Sequence, residues 1–311
     1  MVVDSWEYFF KRALRVLIVS LLLVLGGCAG SRPDIAIPKV PPSPPEMKSP
    51  PNVAVVLGGG GARGYAHVGV LLELERAHVP VDLIVGTSAG SVMGAIYADS
   101  GSVDGLKNAV MSATLWDYAD LAVFPASGGV VPGYQLEKFL LQHMSARTFA
   151  ELKLHFVAVT TDLTTGDTYI IQSGPVAPAV LASAAVPGIV KPVHLYGHTL
   201  VDGGVTDNVA IDVARRFHPK MIIAVDVGSE LGYEIPNSSF GVLARSYDIT
   251  LERLTKLQLK DAGIVIHPVV GDIGMFDLSR KYDLVHAGQL AAYNMLPTIK
   301  REMKEKGISE K

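Results

Sequence analysis

The sequence predicts an α/β fold, a three-layer sandwich in which helices cover both faces of a central, mostly parallel sheet. Short apolar runs rich in β-branched residues alternate along the chain with segments whose apolar residues recur at helical spacing. Glycine-rich turns lead directly from two of these runs into the helical segments that follow them. Because open parallel sheets bind their ligands beyond the carboxyl ends of the strands, we expect the functional site at that edge.

The composition excludes several other classes of protein. Of the 311 residues, 49% are hydrophobic and 18% are charged, against about 25% charged in an average soluble domain. This apolar content excludes disorder as the main state, and a single cysteine excludes a disulfide scaffold. The 27 Lys and Arg do not outnumber the 30 Asp and Glu, so we expect no nucleic-acid partner. No His/Cys spacing suggests a metal site, and we expect no metal and no cofactor.

Residues 1–27 are predicted to be a targeting segment. Three basic residues precede an apolar run at 16–25, which as a helix would span about 15 Å, half of a bilayer. That length is typical of a signal peptide rather than a membrane span. The run ends in Leu-Gly-Gly before Cys28, which resembles the cleavage box of bacterial lipoproteins, whose cysteine carries the lipid. An ordinary signal peptide followed by a chance cysteine is the alternative.

Residues 28–51 are predicted to form a lipidated cysteine followed by a proline-rich tether. Eight of the 19 prolines fall within residues 29–51, a composition typical of a semi-rigid spacer with little capacity to form a core. A lipid on Cys28 would hold the protein in the bacterial cell envelope, because two or more acyl chains anchor firmly. Ala29 resembles the sorting signal for the outer membrane, so we expect a location on that membrane, facing the periplasm.

The folded domain is predicted to span residues 52–311 and to begin with a buried strand at 53–57, an uninterrupted apolar run. Four glycines follow at 58–61, and residues 62–78 then show apolar side chains at helical spacing without a proline. A glycine turn before a helix points backbone amides into open space, where an anion can approach closely. This loop is therefore a candidate anion-binding element.

The same loop also fits the fingerprint of a dinucleotide-binding turn. Gly59, Gly61 and Gly64 have the spacing G-x-G-x-x-G. That fold also needs an acidic residue at the end of the second strand, and Asp82 lies near the start of that strand. Nucleotide binding therefore remains the weaker interpretation.

A second glycine turn favours nucleophilic catalysis. A short apolar strand at 81–85 runs into Gly86-Thr87-Ser88-Ala89-Gly90, and residues 91–98 are predicted to be helical. This is the G-x-S-x-G nucleophile elbow in its strand–turn–helix context, with Gly86 and Gly90 allowing the strained turn. The helix dipole and free amides at that position favour a developing alkoxide on Ser88. The alternative is a tight helix-start turn in which Ser88 is only a cap.

The base for Ser88 is less evident from the residues alone. Seven histidines follow Ser88, but none lies in a motif that singles it out, and His67 inside the first helix suits a packing or capping role. Asp202-Gly203-Gly204 follows a hairpin-like turn and short strand, so another loop could approach this aspartate closely. A plain β-turn is the alternative.

Together these motifs resemble the patatin-like phospholipases. The loop at 59–64, the elbow at 86–90 and the triplet at 202–204 follow in the family's order, and residues 182–188 resemble a further family block. The resemblance implies a patatin-like fold without a cofactor and a Ser–Asp dyad, with Ser88 as nucleophile and Asp202 as general base. It also implies an oxyanion hole and a set of motif glycines: Gly59, Gly60 and Gly61 for the hole, and Gly64, Gly86, Gly90, Gly203 and Gly204 for the motifs.

Arg63, the loop at 207–210 and Val190 each affect the expected shape of the site. Arg63 lies in the first helical turn, where the dipole disfavours a cation, so we expect a compensating partner: an anionic substrate group, a carboxylate or a carbonyl that it orients. Residues 207–210 depart from the family pattern of two asparagines and a proline, which leaves the shape of that loop open. Val190 stands where the family often has an aromatic residue, which would alter an acyl pocket.

The remaining chain completes the predicted sandwich. Strands are expected at 154–161, 168–171 and 221–227, with a helix at 211–217. Two long helices are expected at 238–259 and 284–306, the second with a break or kink at Pro297. Leucines at helical spacing in both could line an acyl groove, but the core is the preferred interpretation. These leucines are Leu251, Leu254, Leu257, Leu284, Leu290 and Leu296.

These observations predict a lipid-anchored serine acyl hydrolase. It would cleave carboxylic ester bonds of membrane phospholipids or lysophospholipids through an acyl-enzyme. The alternative is a catalytically silent envelope lipoprotein that uses the same site only to bind lipid. Intact Ser88 and Asp202 favour the enzyme, because a decayed site should lose one of them.

Overall fold

The computed structural model describes residues 35, 37–118, 131–228, 237–275 and 277–311. The predicted targeting segment and Cys28 lie outside the described residues, so the lipid anchor stays a prediction. Residues 37–51 contain no helix or strand and are mostly exposed, although Ile37 and Met47 pack against the core. Within the described ranges, no helix is both long and apolar enough to cross a membrane.

An eight-stranded mixed sheet forms the centre of the fold. Its strand order is β5-β6-β3-β2-β1-β7-β8, with β4 paired to β3. Strand pairs β1–β2, β1–β7, β2–β3 and β7–β8 are parallel, whereas β3–β4, β3–β6 and β5–β6 are antiparallel. The strands are β1 Val53–Leu57, β2 Val81–Thr87, β3 His155–Asp162, β4 Thr168–Ile171, β5 Val193–Leu195, β6 His198–Asp202, β7 Met221–Val225 and β8 Ile264–Ile266.

Helices pack on both faces of this sheet. Alternate residues of β1 enter two separate cores: Val53, Val55 and Leu57 face one, and Ala54 and Val56 face the other. The first core is shared with α1, α2, α3, α5, α6 and α9, and the second with α7. The helices are α1 Tyr65–Arg76, α2 Ala89–Ser100, α3 Val103–Val110, α4 Leu115–Tyr118, α5 Tyr134–His143, α6 Val176–Ser183, α7 Ile211–Arg215, α8 Ser239–Gln258 and α9 Lys281–Glu305.

The register around β3 brings two distant parts of the chain to the same level. Thr87, the last residue of β2, pairs with Val159, and the next residue of β3, Thr160, pairs with Asp202. Because β6 runs antiparallel to β3, the last residue of β6 lies level with the end of β2, where the turn that contains Ser88 begins. Ser88 and Asp202, 114 positions apart, are thereby neighbours.

The predicted fold class is confirmed, but the two long helices differ in part from what the sequence led us to expect. Helix α9 runs through Pro297 without a break and buries Leu284, Ala292, Ile299 and Met303. Tertiary packing of that face offsets the roughly 3 kcal/mol that an internal proline costs. The leucines at helical spacing in the two long helices do not share one environment. Leu251 and Leu284 are buried, whereas Leu257 and Leu290 are exposed.

Candidate active site

The turn after β2 holds Ser88 in a strained conformation. Its φ of 54° and ψ of −122° lie in a backbone region that residues other than glycine rarely adopt. Several hydrogen bonds hold it there. The Ser88 amide donates to Ser183 Oγ at 3.0 Å, Ser183 Oγ donates to the Val159 carbonyl at 2.6 Å, and Ser91 Oγ donates to the Ser88 carbonyl at 2.8 Å. The elbow is therefore fixed by β3 and α6 as well as by its own helix.

The glycines of this turn are sterically required. A Cβ on Gly86 would lie 2.6 Å from the Gly90 carbonyl oxygen, and a Cβ on Gly90 would lie 2.0 Å from the Leu57 carbonyl oxygen. Gly64 faces the same turn, because its Cβ would lie 2.6 Å from Ala89 Cβ. The first turn of α2 thus packs directly on the end of β1 and on the glycine loop.

Gly90→Ala should destabilise the fold markedly. The new methyl would meet backbone rather than a movable side chain, and overpacking of this kind typically costs about 1–3 kcal/mol of the free energy of unfolding. Thermal and denaturant unfolding measure that loss. Gly263→Ala is the matched control, since its Cβ would meet nothing closer than Glu302 Oε1 at 3.9 Å. Equal stability of the two variants would contradict the described packing of α2 on β1.

Asp202 is buried against Ser88 at the end of β6. Its Oδ2 accepts a hydrogen bond from Ser88 Oγ at 2.6 Å, and its Oδ1 accepts one from the Gly204 amide at 2.8 Å. Burial raises the pKa of Asp202 to about 6, although both hydrogen bonds oppose the shift. The carboxylate is therefore more basic than an exposed aspartate, yet still mostly ionised at neutral pH.

Two amides of the glycine loop, those of Gly60 and Gly61, have no hydrogen-bond partner among the described residues, and both residues line the same cavity as Ser88. The Gly59 amide already donates to the backbone carbonyl of Asn208 at 3.3 Å. Beyond the loop, the Ala62 amide donates to the carbonyl of Met275 at 2.7 Å. These bonds fix the loop on both sides and leave the amides of Gly60 and Gly61, which lie between them, available to a ligand.

The side chains of His67 and Arg63 donate hydrogen bonds to carbonyl groups of this loop. His67 lies fully buried with Nε2 2.8 Å from the Gly58 carbonyl, and burial lowers its pKa to about 4, so the neutral ring donates that bond. Arg63 is also buried, and its Nε donates to the Gly60 carbonyl at 3.2 Å. A terminal nitrogen of Arg63 lies 3.5 Å from Asp248 Oδ1. Of the partners predicted for Arg63, the structure provides the oriented carbonyl and the carboxylate.

Sequence reasoning did not single out Asn208 and Ser183. Besides accepting from Gly59, Asn208 donates through Nδ2 to Thr255 Oγ1 on α8 at 2.9 Å. Gln258 of α8 donates to Asp207 Oδ1 at 2.9 Å, so helix α8 holds the loop that departs from the family pattern. Nothing local marks Ser183 except its position in the block at 182–188, because its role depends on pairing across the sheet.

An apolar cavity of about 190 Å³ lies in front of Ser88. Ser88, Asp202, Gly59, Gly60 and Gly61 all line it, whereas Arg63 lines a neighbouring polar cavity. Among the described residues, no histidine lines the cavity of Ser88 and no group of three or more acidic, His or Cys residues could hold a metal. The apolar walls include Tyr65, Val92, Met93, Tyr118, Val131, Leu136, Leu181, Val186, Ile189, Val190, Tyr247, Leu251, Met275 and Leu278.

The solved structure of VipD from Legionella pneumophila is similar in fold. The two superpose with a TM-score of 0.55 over 88% of this chain and 72% of that one, at 13% sequence identity. An identity this low compares folds alone. The mixed sheet and its flanking helices are therefore an arrangement that an experimental structure also shows.

Relatives in sequence are larger proteins. The chain is 37% identical over 187 residues to the human and mouse proteins called patatin-like phospholipase domain-containing protein 6. It is 36% identical over 182 residues to lysophospholipase nte1 of Aspergillus fumigatus. These matches cover 58% and 57% of this chain but only 14% and 12% of the relatives, so the chain corresponds to a small part of each.

A family model decides the assignment. The model described as patatin-like phospholipase matches residues 55–215, which run from the first strand to the last residue of α7 and include Ser88 and Asp202. That match covers about half of the chain and contains all three motifs on which the resemblance rests. This chain belongs to the patatin-like phospholipase family.

Proposed function

We propose that this protein is a serine acyl hydrolase that cleaves carboxylic ester bonds of phospholipids or lysophospholipids through an acyl-enzyme. The observation that supports it most is the 2.6 Å hydrogen bond from Ser88 Oγ to Asp202 Oδ2 at the wall of an apolar cavity. A nucleophile needs a proton acceptor within this distance, and an acyl chain needs apolar walls. The names of the relatives, lysophospholipase and patatin-like phospholipase, agree with both requirements.

In the proposed acylation step, Ser88 Oγ attacks the ester carbonyl carbon while its proton passes to Asp202 Oδ2. A pKa of about 6 suits this transfer better than that of an ordinary aspartate, because a base works best when its pKa lies near the working pH. The tetrahedral intermediate then collapses as the C–O bond to the leaving alcohol breaks. The protonated Asp202 gives that alcohol its proton, and the acyl group remains on Ser88.

Deacylation repeats the sequence with water as the nucleophile. Asp202 takes a proton from the attacking water and returns it to Ser88 Oγ as the fatty acid leaves. Both half-reactions use the same base because only one carboxylate contacts Ser88 within the described site. The free acid and the alcohol carrying the head group are the two products.

The oxyanion of both intermediates is proposed to bind the amides of Gly60 and Gly61. The family resemblance implies Gly59, Gly60 and Gly61, but the Gly59 amide donates to the Asn208 carbonyl, which leaves the amides of the other two to bind the oxyanion. Arg63 and His67 orient this hole through the carbonyls of Gly60 and Gly58, rather than touching the substrate. Donors preorganised for the oxyanion carry much of the rate in reactions of this kind.

The location of the enzyme is proposed from the sequence. A lipid on Cys28 would hold the domain at the outer membrane, facing the periplasm, where its phospholipid substrates lie. Mass spectrometry of the chain purified from membranes would measure the predicted lipid on Cys28. An unmodified Cys28 in the mature chain would remove the anchor from the proposal without affecting the site.

Product analysis tests the proposed activity. The purified chain is incubated with a mixture of phospholipids and lysophospholipids, and the released fatty acids and head-group products are identified by mass. A fluorophosphonate should label Ser88 and stop the release, because it reacts with activated serines. Lipid binding without release, and no labelling of Ser88, would favour the catalytically silent alternative instead.

A further inference from the structure

Helix α8 carries an unusual outer face. Its positions Val242, Leu243, Ile249 and Leu257 expose 50%, 60%, 40% and 60% of their surface. Spaced along a 20-residue helix, these side chains recur on one side, and buried Leu251 and Thr255 lie on the other. Single exposed aliphatic residues are common, but several on one helix face usually mark an interaction surface.

The charges on this face all have one sign. Over residues 241–258, the exposed positions other than the four aliphatics are Ser246, Thr250, Arg253 and Lys256, and none of them is acidic. Lys256 contacts Glu252, which is less exposed. The face formed by Val242, Leu243, Ile249, Arg253 and Leu257, here called the outer face of α8, therefore combines aliphatic groups with positive charge.

The same helix is a wall of the catalytic cavity. Tyr247 and Leu251 project from its inner side and line the cavity beside Ser88. At its amino end, Leu243 Cδ2 lies 3.9 Å from the Cβ position of Gly188, in the loop whose residues Ile189 and Val190 also line the cavity. The outer face of α8 is thus separated from the acyl-binding space by the thickness of one helix.

The loop beside Leu243 has the same chemistry. Pro187, Gly188, Lys191 and Pro192 are exposed there, with Lys191 adding a second cation near the cavity. Aliphatic side chains bordered by lysine and arginine match the acyl boundary and the negative head groups of a phospholipid surface.

We propose that the outer face of α8 docks on the surface of anionic phospholipid membranes and holds the cavity of Ser88 next to the lipid. The reason for docking rests on the proposed function, whereas the evidence for docking comes from the exposed side chains of α8. The aliphatic residues enter the head-group boundary while Arg253 and Lys191 contact phosphates. Docking on this face places Tyr247 and Leu251, which line the apolar cavity, one helix thickness from the lipid surface.

A position-specific probe tests docking without relying on catalysis. In the full chain carrying Cys28→Ser, Leu243→Cys provides a single thiol for an environment-sensitive fluorophore, and Leu290→Cys on α9 is the matched control. Leu290 is similarly exposed, at 53%, but does not line the cavity. With vesicles of phosphatidylglycerol and phosphatidylcholine, the probe at 243 should shift to the blue and the probe at 290 should not. High salt should weaken the shift, because it screens the attraction to phosphates.

Equal responses at both positions, or none at 243, would overturn the proposal. A shift at 243 that needs no vesicles and grows with protein concentration would also overturn it, since a second copy of the chain would then cover the face. These outcomes do not depend on whether the protein hydrolyses esters. They therefore separate failure of the docking surface from failure of the proposed function.

Activity measurements extend the same test. Leu243→Asp with Arg253→Glu should lower hydrolysis of vesicle lipid by about tenfold or more, since each basic residue near an anionic surface contributes about a fivefold factor in binding. Hydrolysis of a water-soluble short-chain ester should stay within about twofold, because neither residue lines the cavity. Leu290→Asp should leave both activities unchanged. An equal loss on both substrates would contradict a surface role for α8.

Discussion

Replacing Ser88 by alanine is expected to lower ester hydrolysis by on the order of 10⁴-fold or more, because the variant lacks the oxygen that forms the acyl-enzyme. The substitution removes one hydroxyl from a buried turn whose main-chain bonds to Ser183 and Ser91 remain available. Release of fatty acid from lysophospholipid, followed by mass, measures the effect. Binding of the substrate should persist, since the apolar walls are unchanged.

Ser100→Ala is the matched control for this experiment. Ser100 ends the same helix, α2, and its hydroxyl donates to the Ser102 carbonyl away from the cavity. Its rate should remain within about twofold of the unmodified protein, as is usual for substitutions outside the site. Fatty-acid release by the Ser88→Ala protein at the original rate would leave the proposed mechanism without its nucleophile.

Asp202→Asn is expected to lower kcat by about 10³- to 10⁴-fold while leaving the fold intact. The amide matches the carboxylate in size, and its oxygen can still accept from the Gly204 amide while its nitrogen donates to Ser88 Oγ, but it cannot take up the proton. Asp207→Asn is the control, because Asp207 is another partly buried aspartate whose carboxylate bonds to Gln258 and does not line the cavity. A similar loss in both variants would indicate a structural effect of the loop rather than loss of the base.

The pH profile of kcat/KM distinguishes these two aspartates further. Because the base must be ionised to accept a proton, activity should rise as the pH passes through the Asp202 pKa of about 6 and level off above it. Burial also raises the pKa of Asp207, to about 7. The rise should survive Asp207→Asn and vanish from the residual activity of Asp202→Asn. The reverse result would assign the titration to Asp207.

The local features of this protein could be predicted from sequence because each depends on a few adjacent residues. The strand at 53–57, both glycine turns and the helix after the elbow were all predicted within a few residues of their positions. Each combines an uninterrupted apolar run with glycines at a point where only glycine fits. The same reasoning named Ser88, because the elbow motif is local.

Contacts that depend on sheet register could not be predicted in this way. Ser183 supports the elbow because its hydroxyl bridges the Ser88 amide and the Val159 carbonyl of β3. The bond of the Gly59 amide to Asn208 joins loops that are 149 positions apart, and it changes which amides are open. Asp202 itself was assigned through family resemblance, since the residues left a plain turn as an alternative.

The differences between the expected and observed long helices have a related cause. A proline lowers helix stability by a local rule, but α9 gains more from packing its length against α1, where Gly69 and Gly288 allow very close contact. Leu257 and Leu290 follow helical spacing in the sequence yet face outward. Periodicity alone identifies a stripe of leucines but not which part of it meets a neighbour.

The absence of a histidine between Ser88 and Asp202 in the described site has a consequence for how charge behaves during the proposed reaction. A neutral imidazole that removed the serine proton would create a cation and an anion together, which is costly in a space with few polar groups. A carboxylate that does so becomes neutral as the substrate oxygen becomes negative. The single negative charge is therefore only relocated by a few ångströms, from a carboxylate held by Gly204 to an oxygen held by the glycine loop. An apolar cavity can thus hold this chemistry without separating opposite charges.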